Sequence, residues 1–277
     1  MMGGIFLALA AALFWGGGDF CGGFASRRHS SFQVVALSAF SGVAVLAAAA
    51  LLRHEAFPAL PGLLWALLAG LSGAVGIIAL YRALSSGNSA VVAPTAAVIG
   101  AVLPVAFTLF TRGAPAMTQL AGFALAFLGI WLVSRTAFVK AGSSRTEFWL
   151  ACLAGVTFGG FFIFIAQVGE GKVFTPLILT RSVMLIAALV MLRASHLPLP
   201  QVRYSGIGLL AGILDAGGNV FFMLAKEFTR LDTAVIVSSL YPGVTVILTG
   251  LLLKEKIGLW QKVGVVLCLL AIVLITL

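Results

Sequence analysis

The chain has 277 residues, of which 61% are hydrophobic and only 9% are charged, and its mean hydropathy is +1.16. A soluble domain of this length could not bury so much apolar surface, so the composition excludes a soluble globular protein and predicts a membrane protein. The formal net charge of +9 does not indicate nucleic-acid binding, because the basic residues are spread over all the predicted loops instead of forming one patch.

Ten apolar segments are long enough to cross a bilayer as helices, since a helical span needs about 20 residues. They cover residues 3–25, 32–52, 61–84, 88–110, 116–135, 146–168, 173–193, 203–226, 231–252 and 258–276. The loops between them have only a few residues and leave no room for a soluble catalytic or binding domain. We therefore expect an all-α membrane protein whose function lies inside the helix bundle. The first span has neither the basic segment nor the cleavage site of a signal peptide, and we expect it to be retained.

The sequence repeats itself after about 143 residues, which indicates an internal duplication. Four segments match in order: 13–17 with 157–160, 70–76 with 212–218, 89–92 with 233–236, and 119–122 with 261–264. Each half contains five predicted spans, and an odd number places the second half upside down relative to the first. We expect two inverted five-helix repeats, residues 1–140 and 145–277, joined by a short polar linker. Inverted repeats of this kind are typical of secondary transporters.

Most lysines and arginines fall in loops on one side of the predicted bilayer, the side that contains Arg27 and Arg28. The opposite side carries the two termini. Under the positive-inside rule, this distribution places both termini outside the cytoplasm.

Two acidic residues, Asp19 and Asp215, lie within predicted spans, whereas the other acidic residues lie at or near span ends. An ionisable group at that depth costs several kcal/mol unless it faces protein or water, so it indicates a functional site or a solute pathway. The alternative is a structural hydrogen bond between helices. Asn219 lies four residues after Asp215 and shares its helix face.

The repeat does not extend to these polar residues. The first-half counterparts of Asp215 and Asn219 are Gly73 and Ile77, and the counterpart of Asp19 lies near Phe162. A symmetric frame with asymmetric polar groups is what a single central site for an asymmetric solute requires.

Arg181 is a basic residue about two turns inside the seventh span and needs an anionic or carbonyl partner. Asp215, Asp19 or Glu170 can supply it, and so can a carboxylate of the substrate. We regard Arg181, Asp19 and Asp215 as candidates for an ion pair or for coupling.

Three aromatic residues with a polar group, Trp15, Tyr81 and Tyr241, lie close to these polar segments and can line a cavity. Tyr81 fits equally well as an anchor at the membrane surface. The glycine clusters predict close helix contacts, and Pro94, Pro104 and Pro242 can bend their spans.

Nothing in the sequence predicts an enzyme, a cofactor or a metal site. The three histidines lie in loops, and no metalloprotease, serine hydrolase or phosphate-binding motif is present. The three cysteines are scattered through apolar segments, a pattern that supports neither disulfides nor metal ligation.

Five short segments form a recognisable pattern: 240–248, 253–256 and 259–261 in the second half, and 81–84 and 91–94 in the first. This pattern resembles the motifs of EamA-type proteins of the drug/metabolite transporter superfamily. Arg181 matches an arginine that the family tends to carry early in the second span of each half, where the first half has Ala39. Glu255 matches the glutamate of the family's last-loop motif, and 111–113 departs from it in the first half.

The resemblance covers essentially the whole chain. It implies a central cavity lined by spans 1, 3, 4, 6, 8 and 9, and usually both termini in the cytoplasm, contrary to the charge distribution. We expect a secondary transporter in a bacterial inner membrane that exports amino acids or similar small metabolites by alternating access, with Asp19 or Asp215 exchanging protons. The alternatives are a flippase for a lipid-linked group and, less favoured, a membrane enzyme or receptor subunit.

Overall fold

The structure, a computed structural model, describes residues 2–85, 89–134, 145–201, 205–254 and 257–276. Within these residues the side chains of 81, 84–85, 89–91, 93–94 and 134 are not described. The described part is helical, without strands, and its helices are α1 Met2–Ala25, α2 Ser31–Leu52, α3 Leu60–Ser85, α4 Ser89–Arg112, α5 Met117–Ser134, α6 Arg145–Ala166, α7 Phe174–Ala194, α8 Gly206–Phe228, α9 Leu231–Ser238, α10 Tyr241–Leu252 and α11 Leu259–Thr276.

Each predicted span is helical in the structure, which confirms the all-α prediction. Nine segments of the described residues are long and apolar enough to cross a membrane, and Met117–Val133 is a shorter apolar helix. Large apolar side chains such as Leu51 and Phe110 are exposed on the outside of the bundle, where a bilayer would cover them. The predicted linker between the halves precedes Arg145 and lies outside the described residues.

The ninth span differs from the prediction, because it consists of two helices, α9 and α10, that meet at Ser239 and Leu240. The helical hydrogen bonding tightens there, since the Leu240 N–H donates to the Val237 carbonyl. Pro242 in the first turn of α10 has no N–H to continue the ladder. In contrast, α4 runs unbroken through Pro104. Broken helices at the membrane midplane are a feature of transporters whose backbone lines a cavity there.

The helix contacts show the inverted repeat. Helix α1 packs against α8 as α6 packs against α3, and α1 contacts the α9–α10 pair as α6 contacts α4. Two further pairs join equivalent helices of the two halves, α2 with α7 and α5 with α11. The halves therefore interleave as two inverted five-helix repeats, as predicted.

Close contacts between helices depend on small residues at equivalent positions of the repeat. A Cβ at Gly212 of α8 would overlap the Ser38 carbonyl and the Ser41 hydroxyl of α2. At the equivalent contact of α3 with α7, a Cβ at Gly70 would lie 3.0 Å from the Thr180 Cα. The Ser41 hydroxyl also donates to the Leu209 carbonyl at 2.8 Å. Small residues at such contacts let membrane helices approach each other closely.

We call the end of the bundle with loop 26–30 the open end and the end with loop 53–59 the closed end. Polar groups join the two halves at the closed end. The Glu55 carboxylate accepts hydrogen bonds from the N–H groups of Val173 and Thr175, at 3.1 and 2.7 Å, and from the Thr175 hydroxyl at 2.9 Å. Arg230 pairs with Asp232 at 2.8 Å and donates to the Gly113 carbonyl of the first half at 2.7 Å.

Candidate functional site

A central cavity of about 470 Å³ lies between the two halves. Its lining comes from α1, α2, α3, α4, α6, α7, α8 and the α9–α10 junction. The cavity therefore includes α2 and α7 in addition to the six spans that the family resemblance implied. It extends from Trp15 and Tyr241 in the middle of the bundle to Ser26 and Ser31. Ser26 is exposed, so the cavity leads out at the open end.

Gly18 of α1 allows the close helix contact that places Asp19 and Asp215 in the same cavity. A Cβ at Gly18 would lie 3.2 Å from the Ala211 carbonyl oxygen and 3.3 Å from the Asp215 amide nitrogen. Because Gly18 has no side chain, α1 packs directly on α8, and Asp19 and Asp215 both line the cavity.

Arg181 of α7 pairs with Asp215 of α8 through its Nη1 atom. Of the partners considered from the sequence, the structure therefore selects Asp215. The Arg181 side chain is 7% exposed, and that of Asp215 is 34% exposed. The guanidinium also lies 3.7 Å from the Met184 sulfur. Arg181 is thus enclosed by protein, whereas part of the Asp215 carboxylate still faces the cavity.

Asn219 forms hydrogen bonds to Asp215, one turn earlier on α8. Its Nδ2 donates to the Asp215 backbone carbonyl at 2.7 Å and lies 3.4 Å from the Asp215 carboxylate. The two residues share one helix face, as their spacing predicted.

Asp19 differs from Asp215 in having no cationic partner in the part of the chain that the structure describes. Its side chain is exposed, and it lines the cavity. Within the described residues it forms no hydrogen bond and no ion pair. The cavity therefore contains one carboxylate whose charge is not paired by any described residue.

Aromatic rings close the inner end of the cavity. The Trp15 ring lies 6.3 Å from that of Tyr241, 5.9 Å from Phe162 and 5.8 Å from Phe222, measured between centroids. Beyond these rings, toward the closed end, the bundle is filled by buried residues that include Met223 and Ile236. The ring cluster thus separates the cavity from the closed end.

The structure brings Trp15, Asp19, Arg181, Asp215, Asn219 and Tyr241 to one cavity. Tyr81 belongs to α3, but its side chain lies outside the part of the chain that is described. Sequence reasoning did not select Phe158, Phe161 and Phe162 of α6, although all three line the cavity. The repeat could have identified them, because they lie about 143 residues after Trp15, Gly18 and Asp19.

The cavity lining has a polar side and an apolar side, and each side contains helices of both halves. Asp19, Arg181, Asp215 and Asn219 come from α1, α7 and α8 and form a polar wall. Their repeat counterparts across the cavity include Phe162, Gly73 and Ile77. The described lining residues of α3, α4 and α6 are all apolar, and we call them the apolar wall: Ala69, Gly70, Gly73, Ile77, Leu80, Ala96, Ala97, Gly100, Ala101, Phe158, Phe161 and Phe162.

No metal site is apparent in the described residues, where no group of three His, Cys, Asp or Glu side chains is close enough to hold an ion. Cys21 and Cys268 are buried and, like Cys152, are free thiols. The arrangement can bind a small solute and can exchange a proton at a carboxylate.

Comparison with known proteins agrees with this architecture. The EamA-like transporter family matches residues 2–135 and again residues 145–277. A solved structure, titled only as the crystal structure of a protein, has a TM-score of 0.79 and 17% sequence identity, and it covers 99% of this chain and 96% of its own. That likeness shows the fold. A search of curated proteins finds no match. Because the family matches both halves over nearly the whole length, the chain belongs to the EamA-like transporter family of multi-pass membrane proteins that carry small molecules.

Proposed function

We propose that this protein is a secondary transporter that exports amino acids across the inner membrane of a bacterium. The observation that carries the proposal is the unpaired Asp19 carboxylate in a cavity between two inverted halves. A cavity of about 470 Å³ lies within the range of small-molecule sites. The polar wall suits the charged end of an amino acid, and the apolar wall suits its side chain.

Alternating access follows from the inverted repeat. Two halves of opposite orientation have two equivalent arrangements, in which the cavity opens at one end or at the other. In this structure the cavity leads out at the open end, and the aromatic cluster and the Glu55 and Arg230 contacts seal the closed end. Exchange between the two arrangements would carry a bound solute across the membrane.

We propose that Asp19, rather than Asp215, exchanges the proton. The sequence left both open, but Asp215 already pairs with Arg181, so its protonation would leave a buried guanidinium without a counterion. Asp19 has no such partner in the described residues. A proton and the ammonium group of a solute would therefore compete for the same carboxylate, which couples solute movement to proton movement in the opposite direction.

Transport in proteoliposomes tests this function. Counterflow of a radiolabelled amino-acid panel is measured with and without a pH gradient, for the wild type, Asp19→Asn and Glu170→Gln. Glu170 is an exposed carboxylate at the closed end and serves as a matched control for the loss of one charge. We expect gradient-dependent transport in the wild type and in Glu170→Gln, and loss of the gradient dependence in Asp19→Asn. An Asp19→Asn variant that still responds fully to the gradient would refute this coupling role.

Thermal stability, measured on the same purified protein, tests the alternative function of a lipid flippase. A ligand that binds the folded state raises its thermal stability. Stabilisation by soluble amino acids supports the export function, whereas stabilisation by lipid-like ligands alone would favour the flippase.

A further inference from the structure

The charges of the cavity do not balance. The charged lining residues within the described part of the chain are Asp19, Asp215 and Arg181, two acids and one base. The polar wall therefore carries one negative charge in excess when both carboxylates are ionised. A solute that neutralises this charge is attracted to the cavity, and one that adds a negative charge is repelled.

Arg181 is not available to a solute carboxylate. Its side chain is only 7% exposed, and it already pairs with Asp215. To reach the guanidinium, a carboxylate would have to displace Asp215 and leave that acid without a partner inside the membrane. Removing one partner of a buried ion pair is strongly unfavourable.

Carboxylate oxygens, in contrast, are available. Asp19 is exposed to the cavity and forms no bond to the described residues, and Asp215 keeps 34% of its side chain exposed beside its bond to Arg181. The Asn219 amide nitrogen is directed to the Asp215 carbonyl. The charged surface that the cavity presents is therefore a hydrogen-bond acceptor.

The aromatic rings add a second element that favours a cation. Trp15 lies one turn before Asp19 on α1, and its ring lies near those of Tyr241 and Phe162. The face of an aromatic ring attracts an ammonium group within about 6 Å. The opposite, apolar wall provides hydrocarbon surface for the rest of the solute and no described charged or polar group for a carboxylate.

We propose that this cavity selects its solute by a cationic amine and not by a carboxylate. This inference rests on the proposed transport function and names the chemical class that the site prefers, which is a primary amine with an apolar or aromatic body. The ammonium group lies at Asp19, and the body lies against the apolar wall. An amino acid is accepted through its ammonium group, while its carboxylate finds no available cation and weakens binding, because it adds a negative charge to the cavity.

Matched ligand triplets test the inference. One triplet is 2-phenylethylamine, L-phenylalanine and 3-phenylpropanoate, and the other is isoamylamine, L-leucine and 4-methylpentanoate. Within each triplet the body is the same, and only the amine and the carboxylate differ. Binding to the purified full-length protein is measured by calorimetry, for the wild type, Asp19→Asn and Glu170→Gln.

In at least one triplet we expect the amine to bind about tenfold more tightly than the amino acid, and the carboxylate not to bind. This order persists in Glu170→Gln and disappears in Asp19→Asn. If the wild type binds or counterflows amino acids while the amines do not bind more tightly, the inference is wrong and the transport function stands. If no member of either triplet binds and no amino acid is transported, both are wrong. The wild-type comparison decides even if Asp19→Asn does not fold.

Discussion

Asp19 and Asp215 lie in the same cavity, but among the described residues only Asp215 has a cationic partner, and from this difference we infer different roles for the two acids. Asp215 is fixed by Arg181 and by Asn219. Asp19 remains open to a solute. Mutation of Asp19 and mutation of Asp215 should therefore have different consequences for stability.

We expect Asp215→Asn to destabilise the protein more than Asp19→Asn does. The Asp215 change leaves the Arg181 guanidinium enclosed without a counterion, at a cost of about 3–5 kcal/mol. Thermal unfolding in detergent measures the effect. The double variant Arg181→Met with Asp215→Asn should recover most of the loss, because neither charge then remains. If the single and the double variants are equally unstable, the pair does not account for the stability.

At the level of the helices, Glu55 makes contacts at the start of α7. The first N–H groups of a helix have no partner within it, and Val173 at the start of α7 makes no side-chain cap. Glu55 supplies the missing acceptor from the other half of the protein. Burial raises the pKa of the Glu55 carboxyl, but the hydrogen bonds from Thr175 and Val173 outweigh it and hold the pKa below its usual value.

A lowered pKa makes a stability contribution that depends on pH. The contribution is complete above the carboxyl's pKa in the unfolded chain and is lost as the pH falls through the lower pKa of the folded protein. We expect Glu55→Gln to reduce stability at neutral pH, by about 1.5–3 kcal/mol for bonds to a charged group, and to match the wild type in strong acid. Glu227→Gln is the control, because it removes the charge from a carboxylate that accepts one exposed hydrogen bond, from the Gly171 N–H. A loss that is the same at every pH would contradict the role of the charge.

The helix contacts predict a second effect at this scale. A Cβ at Gly212 would overlap atoms of Ser38 and Ser41, whereas a Cβ at Gly206, on the same helix, meets no atom within 4 Å. We expect Gly212→Ala to lower stability by about 1–3 kcal/mol and Gly206→Ala to leave it unchanged, as measured by thermal unfolding. Equal behaviour of the two variants would show that α2 and α8 are not in close contact.

Sequence and structure agree on the helices because an apolar run of about 20 residues predicts a span from local information alone. The break at Ser239 and Leu240 was less evident. A proline can bend a span or leave it straight, and Pro104 shows that a helix can continue through one. Sequence placed Asp19, Asp215 and Arg181 inside the bundle. The choice of Asp215 as the partner depends on helix rotation and on the close approach at Gly18, which no local pattern contains.

At the scale of the whole molecule, the open end coincides with the basic loops. Loop 26–30 carries Arg27 and Arg28, and Arg193 and Lys254 lie near the same end. The positive-inside rule therefore predicts that the cavity faces the cytoplasm, where an exporter binds its solute. The inverted fold could be predicted from the sequence, because the internal repeat is visible there. The Glu55 contact could not be predicted, because it joins a loop of the first half to the first turn of α7, 120 residues further along the chain.

Labelling in intact cells tests the orientation. Ser26→Cys at the open end and Phe57→Cys at the closed end are each introduced into a protein without its three cysteines, and a membrane-impermeant maleimide is added outside. Both positions are exposed. We expect labelling at residue 57 and protection at residue 26 until the cells are permeabilised. The reverse pattern would place both termini in the cytoplasm, as the family resemblance implied.

The central claim is that solute passes through the cavity between the two halves, and filling that cavity tests it most directly. Gly73 lines the cavity on α3, and Leu71 on the same helix is 55% exposed on the outside of the bundle. Counterflow in proteoliposomes should be abolished in Gly73→Phe and retained in Leu71→Phe, with both proteins folded. Wild-type counterflow in Gly73→Phe would contradict the account, because the solute would then take another path.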